Sequence, residues 1–393
     1  MSILVMNAGS SSLKFALFDP ANESVLASGQ ASWRNAGDAS LSFSGENMPA
    51  QKKPIHIDGY GAATAGILEA LHAHLPGIEA IGHRVVHGGS TFRESVGIGP
   101  EVMDAIRGLC DIAPLHNPPA IETITATGRL LPNIPQIAVF DTSFFASLPP
   151  EAHVYPLPYE WYRDWGIRRF GFHGISHAWC SSRVAELLPR GQAPSPLRLI
   201  SCHLGNGCSL AAVKDGSAIA TTMGFTPLDG IMMGTRPGSL DPGILTYVLQ
   251  KKGVTPEGLN HILNHESGLL GVSGISSDFR EIEAAAVRGE GRAKLAFDIY
   301  ASRIKSAIGA LTVTLGGLDV LVFTAGVGEH SSALRATVCS GLECLGVNIS
   351  PEANASCQPD TDIATLASHV RVIVLRTQEE LMIARETKRV LSS

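Results

Sequence analysis

The chain has 393 residues, 45% of them hydrophobic and 17% charged, with a net charge of -6. That length exceeds what one hydrophobic core usually serves, so two domains are expected, and the composition is that of a globular chain, not a disordered one. The acidic balance, without a basic run anywhere, argues against nucleic acid as the main partner, and no apolar stretch reaches membrane-spanning length.

The amino terminus enters strand pattern at once. Residues 3–6 are an apolar run, residues 15–18 a second one, and between them lies Asn7-Ala8-Gly9-Ser10-Ser11-Ser12-Leu13-Lys14. This polar turn supplies an amide, hydroxyls, a glycine for close backbone approach and a lysine, a set suited to phosphate oxygens or a hydrated cation. A plain hairpin with a serine-rich tip is the alternative. A third strand is expected over 24–30, loop and an edge strand over 33–53, and a helix over 60–75 ended by Pro76-Gly77. Residues 78–89 read as a strand running into Gly88-Gly89. A helix over 100–109, an irregular proline-rich stretch over 113–119, a helix over 120–130 and a strand over 136–140 follow, ending at Asp141-Thr142. Strands alternating with helices indicate α/β units around a mainly parallel sheet. The proline-rich region 148–158 breaks the pattern and is the expected domain boundary, giving domains of 1–148 and 149–379, with the last helix, 380–393, returning to the first domain.

Beyond it, Arg168-Arg169-Phe170-Gly171-Phe172-His173-Gly174 opens a helix toward Leu188, and 191–196 is loop. The opening pattern then returns: strand 199–202, turn His203-Leu204-Gly205-Asn206-Gly207, strand 208–213, turn 214–217 and strand 218–222. Two such hairpins, one per half, point to duplication. Irregular glycine-rich stretches over 223–227 and 233–238 precede helices over 243–252 and 257–266. A loop over 273–280 leads to a helix, and a long amphipathic run covers 293–315. Strand 320–324 ends in Ala325-Gly326-Val327-Gly328-Glu329-His330, with Ser331 or Ser332 able to cap the next helix; strand 370–375 and helix 379–391 close the chain.

Glycine-rich turns at strand ends are where α/β proteins bind nucleotides and small ligands. Arg84 and Arg236 stand in otherwise apolar or glycine-rich stretches, where a planar guanidinium is poor core material but good for clamping carboxylate or phosphate; structural salt bridges are the alternative. Asp141 and Glu379 end or follow apolar strands and could hold magnesium. The seven cysteines, odd in number and without a C-x-x-C pair, read as reduced thiols of a cytoplasmic protein, in keeping with an amino terminus that lacks a secretory pattern. A zinc site is the rival reading. His173 and His177, like His83 and His87, are four apart, but neither pair carries a zincin glutamate.

Taken together, Asn7–Lys14, Gly82-His83-Arg84-Val85-Val86-His87-Gly88-Gly89, Phe170–Gly174, His203–Gly207, Met233-Gly234-Thr235-Arg236, Ser276-Ser277-Asp278-Phe279-Arg280, Ala325–Glu329 and Glu379-Glu380-Leu381-Met382-Ile383-Ala384-Arg385 resemble the acetate kinase family over essentially the whole chain. The resemblance implies an α/β fold of two duplicated ribonuclease-H-like (actin-like ATPase) domains flanking an ATP cleft, acyl substrate on the first and nucleotide on the second. It implies that Asn7 and Glu379 hold Mg2+, with Mn2+ as a substitute, that Lys14 contacts ATP, and that Arg84 holds the acyl carboxylate. It further implies that His203, Leu204, Gly205, Asn206, Gly207, Asp278, Phe279, Arg280, Gly326, Val327, Gly328, Glu329 and His330 line the nucleotide. His173 and Arg236 would stabilise the transition state, Asp141 would be catalytic, and Val86, Leu115, Phe172 and Pro227 would form the alkyl pocket. A homodimer is implied as well. Two departures stand out: His330 replaces the usual Asn, and Pro237-Gly238-Ser239-Leu240 replaces a common Ser-Gly-Asp-Ile run.

The implied reaction is reversible, in-line phosphoryl transfer from ATP to acetate, with propionate or butyrate as alternative acceptors. Such chemistry needs positioning and charge neutralisation. A short carboxylate, like a Glu side chain with a reference pKa of ~4.3, is already ionised at neutral pH and needs no base. Asp141, assigned as acid–base by the resemblance, is therefore expected to orient Arg84 or the metal's water shell. An ATP-driven chaperone would require a further peptide-binding domain, and a binding-only protein would be expected to lack some of Arg84, Asp141, His173, Arg236 and Glu379, all of which are present.

Overall fold

The computed structural model describes residues 2–9, 11–33, 39–46, 48–72, 77–188 and 194–392. Ser10 of the first turn, the expected helix end at Leu75-Pro76 and residues 191–193 of the expected loop lie outside the described residues. The chain divides into two units, Met1–Ala146 with Gln378–Ser393, and Ser147–Thr377.

The first unit is built on one sheet of β1 (Ile3–Ala8), β2 (Ser12–Asp19), β3 (Ser24–Ser32), β4 (Ser40–Gly45), β5 (Met48–Pro54), β6 (Ala80–Val85), β7 (Val96–Gly97) and β8 (Gln136–Phe140), in the order β5-β4-β3-β2-β1-β6-β8-β7. β1 is buried along its whole length, as expected of a central strand covered on both faces. One face carries Leu4, Met6, Leu13, Phe15 and Leu17 into a core with Tyr60, Ile67 and Leu71 of the helix Tyr60–His72. Each such fully buried side chain contributes about 1.5–3 kcal/mol of transfer free energy. The last helix, Glu379–Leu391, packs on β1 and β6 through Ile383, Ala384 and Thr387. The stretch expected to hold a loop and one edge strand instead forms both β4 and β5. Leu41 and Phe43 alternate into the core while the serines between them are less covered, a two-residue period that serine content obscures in the sequence. The helix expected from 120 begins earlier, at Asn117, because Pro118 and Pro119 sit in the first turn, where no N–H is needed.

The second unit holds β9 (Arg198–Leu204), β10 (Cys208–Lys214), β11 (Ser217–Thr221), β12 (Val320–Thr324), β13 (Thr361–Asp362) and β14 (Arg371–Val374), ordered β11-β10-β9-β12-β14-β13. The two sheets share a core pattern. A three-stranded antiparallel meander, β3-β2-β1 or β11-β10-β9, is extended by two parallel strands, β6-β8 or β12-β14. This is the ribonuclease-H-like arrangement, present twice, as the repeated hairpin indicates. The expected glycine turn after β12 is a short helix, Ala325–His330, and Ser331 caps the next one, its Oγ accepting from Leu334 N at 3.0 Å. Among the described residues no helix is long and apolar enough to cross a membrane.

Close approach of the last helix to β6 depends on Gly82. A Cβ there would lie 2.2 Å from Thr387 Oγ1 and 2.8 Å from Ile383 Cγ2. Gly82→Ala is expected to destabilise the protein by about 1–3 kcal/mol, as overpacking does. The denaturation midpoint checks this; an unchanged midpoint would mean that the helix is not held against β6.

Candidate active site

In the first unit, β6 and β8 run parallel, and Arg84 and Asp141 lie at neighbouring strand ends. Asp141 Oδ2 accepts from Arg84 Nε at 3.1 Å and from Nη2 at 2.5 Å, with the carboxylate fully buried and the guanidinium 15% exposed. Arg84 Nη1 also donates to Asn7 Oδ1 at 3.3 Å, and Asn7 Nδ2 donates to Glu380 Oε1 at 3.1 Å. Lys14 faces Asn7 across the β1–β2 pair and is exposed. Burial alone would depress the pKa of Arg84, but Asp141, Glu379 and Glu380 outweigh it and raise it. Burial raises the Glu379 carboxyl above its usual range, opposed chiefly by Arg84. The sequence thus brings Asn7, Lys14, Arg84, Asp141 and Glu379 together.

Of the expected alkyl-pocket residues, Val86 and Leu115 belong to the first unit, Phe172 and Pro227 to the second. β6 ends at Val85, so strand alternation does not place Val86 on the same face as Arg84; Val86 is buried in the bend that follows. Leu115 is 43% exposed and Phe172 only 2%.

In the second unit the hairpin turn after β9 meets His173 and Arg236. A Cβ on Gly207 would lie 2.8 Å from Arg236 Nη2 and 3.2 Å from His173 Nε2, so only a bare backbone lets the guanidinium and the imidazole converge this closely on the turn. Arg236 Nη1 donates to the Pro227 carbonyl at 2.9 Å, and among the described residues Arg236 forms no ion pair. Burial lowers its pKa. His173 precedes the helix Gly174–Leu187 in left-handed backbone, φ 58°, and Ala325 has φ 64° at the start of the helix after β12. Non-glycine residues in that region are costly, and such strain tends to be kept at functional loops.

Asn206 and Arg280 are exposed, and Asp278 caps the helix Phe279–Val287 while pairing with Arg280. The Arg280 hydrogen bond holds the Asp278 carboxyl below its usual range. Leu204 and Phe279 are core side chains, leaving only their backbones available to a ligand. Glu329 Oε1 accepts from both the backbone N–H and the hydroxyl of Thr377, each at 2.9 Å, so this carboxylate is already engaged. Gly328 is buried, while Gly326 and His330 are exposed, and the His330 ring bonds the Gly326 carbonyl at 3.0 Å through Nδ1. Sequence reasoning missed the groups behind His173. Its Nδ1 bonds Ser209 Oγ at 2.9 Å, and its ring stacks on His203 with centroids 4.2 Å apart. The four-residue spacing of His173 and His177 was the available signal, since it puts His177 one helical turn beyond the residue that precedes the helix.

No group of three His, Cys, Asp or Glu suited to a metal occurs among the described residues. Magnesium does not need one, being held by one or two carboxylates with waters and phosphate oxygens. Asn7, Glu379 and Glu380 offer hard oxygen donors, and a cation would favour the ionised form of the desolvated Glu379, so the residues present fit that ion.

The acetokinase family model matches residues 2–385. The chain is 47% identical to the acetate kinase of Dictyoglomus turgidum over 407 residues, covering 100% of this chain and 98% of the relative, and 49% identical to that of Gloeobacter violaceus, covering 98% of each. Among solved structures it is similar to the acetate kinase of Porphyromonas gingivalis (TM-score 0.90, 40% identity, 99% of each chain). It is also similar to a propionate kinase from Francisella tularensis (TM-score 0.92, 39% identity, 99% of each chain). With a family model over nearly its full length and relatives this close, the chain belongs to the acetokinase family.

Proposed function

We propose that the protein transfers the terminal phosphoryl group of ATP to acetate, reversibly, giving acetyl phosphate and ADP. The observation that carries this reading is the convergence of Arg236 and His173 on the Gly207 turn. A desolvated guanidinium without a carboxylate partner favours an anion, and two donors converging on one point suit the oxygens of a phosphoryl group in transfer. Arg84 takes the acetate carboxylate, and Asp141 orients it through Nε and Nη2 without acting as a base. Asn7 and Glu379 would hold Mg2+, which supplies charge neutralisation at the phosphates. Lys14 contacts ATP, and His203–Gly207, Asp278–Arg280 and Gly326–His330 line the nucleotide, with Leu204, Phe279 and Glu329 contributing backbone. Val86, Leu115, Phe172 and Pro227 limit the acyl chain. The same reading makes the enzyme a cytoplasmic homodimer.

Hydroxylamine trapping of acyl phosphate tests the reaction and its acceptor together. Acetate is expected to be preferred, with measurable turnover of propionate and little of butyrate, because one methylene separates substrates by only about 10–200-fold. Preference for propionate would keep the chemistry and reject the acceptor; no acyl phosphate with any of the three would reject the function.

Asp141→Asn weakens the hold on Arg84. The expected result is a raised KM for acetate with the KM for ATP little changed, and a loss of stability of up to about 3 kcal/mol from the buried pair. If the acetate KM stayed at the wild-type value while kcat fell and became strongly pH-dependent, Asp141 would be a proton-transfer group instead.

Arg236 presents the opposite balance. Its lowered pKa means that the folded state disfavours its charge, so Arg236→Met is expected to abolish turnover while leaving Tm equal to or above wild type. A clear fall in Tm would show that the guanidinium is a structural group.

A further inference from the structure

Behind His173 lies a buried chain of imidazoles and hydroxyls within the second unit. Ser201 and His203 share one face of β9, and Ser209 stands opposite His203 on β10. The helix Gly174–Leu187 supplies His177 to the same face. His177 Nδ1 bonds Ser201 Oγ at 2.5 Å, His177 Nε2 bonds Ser209 Oγ at 2.8 Å, and Ser209 Oγ bonds His173 Nδ1 at 2.9 Å. His177, Ser201 and Ser209 are fully buried.

The proton count restricts this chain. A serine hydroxyl has one hydrogen, and the two rings are the hydrogen-bond partners of Ser209 Oγ, so it donates to one ring and accepts from the other. Burial drives the His177 pKa well below its usual value, leaving a neutral ring with one N–H. Two polarities follow. In one, Ser201 donates to His177 Nδ1, His177 Nε2–H donates to Ser209, and Ser209 donates to His173 Nδ1. His173 then carries its proton on Nε2, the atom 3.2 Å from the position of a Cβ on Gly207. In the other, a neutral His173 presents a lone pair at that point, which repels an anionic oxygen. A ring protonated on both nitrogens would place a second cation beside Arg236, which faces the same point, and is disfavoured by that repulsion.

We propose that Ser209, itself oriented by His177, holds His173 in the tautomer with its proton on Nε2, so that the ring donates to the phosphoryl group. Ser209 and His177 are thus positioning residues, and no proton is transferred along the chain. The purpose, though not the geometry, rests on the phosphoryl-transfer reading.

Nitrogen-15 NMR of the full chain labelled in histidine tests it, with the His173 signals identified by their loss in His173→Gln. The expected wild-type spectrum has a bare, pyridine-like Nδ1 and a protonated, pyrrole-like Nε2. The reverse pattern would overturn the proposal whatever the activity. Ser209→Ala is expected to mix the tautomers and lower kcat about 10-fold, the worth of one hydrogen bond, with the KM for ATP unchanged, while Ser209→Thr restores both. Unchanged tautomer and kcat in Ser209→Ala would also overturn it. If that variant does not fold, the wild-type spectrum decides alone. The expected tautomer in a wild type that forms no acyl phosphate would overturn the proposed reaction and leave the assigned hydrogen-bond polarity standing.

Discussion

Two largely buried arginines carry the proposed chemistry, and they are balanced in opposite ways. Arg84 has Asp141 in contact and Glu379 and Glu380 nearby, so its charge is held firmly despite burial. Arg236 has a backbone carbonyl and lies beside a histidine, and burial lowers its pKa. A guanidinium already matched by carboxylate can hold a small anion in a fixed orientation. One left unmatched gains most when charge arrives, which is the condition for favouring a transition state over a ground state.

The fold supplies both situations by repeating one device. In each unit an antiparallel hairpin is joined to two parallel strands, and polar residues gather at the hairpin turn and the parallel strand ends. In the first unit this collects Asn7 and Lys14 from the hairpin with Arg84 and Asp141 from β6 and just beyond β8. In the second it collects His203, Gly207 and Ser209 from the hairpin. Gly207 matters because its missing side chain lets Arg236 and His173 converge on the turn.

Much of this was legible in the sequence. Asn7, Lys14, Arg84, Asp141 and Glu379 were singled out as polar residues at the ends of apolar runs, and the contacts gather them. The repeated hairpin announced the second sheet. What escaped notice was polar and internal: Ser201 and Ser209 lie inside apolar strands and read as tolerated core residues until their partners are known, and His177 was weighed only as a zinc ligand. β4 was obscured by serine at the less covered positions of a two-residue period, and β5 by two adjacent lysines that are both exposed. Val86 is a different case, since it follows the end of β6 at Val85, where strand alternation no longer fixes which face a residue takes.

The division of labour between the two arginines is the central claim, and paired steady-state kinetics tests it most directly. Arg84→Gln should raise the KM for acetate by about 10–100-fold, the worth of a charge-assisted hydrogen bond, with the KM for ATP nearly unchanged. Arg236→Gln should lower kcat by about 10²–10³ with the KM for acetate nearly unchanged. If both substitutions instead raised the acetate KM alike and left kcat intact, Arg236 would be a second carboxylate clamp, and the account would be contradicted.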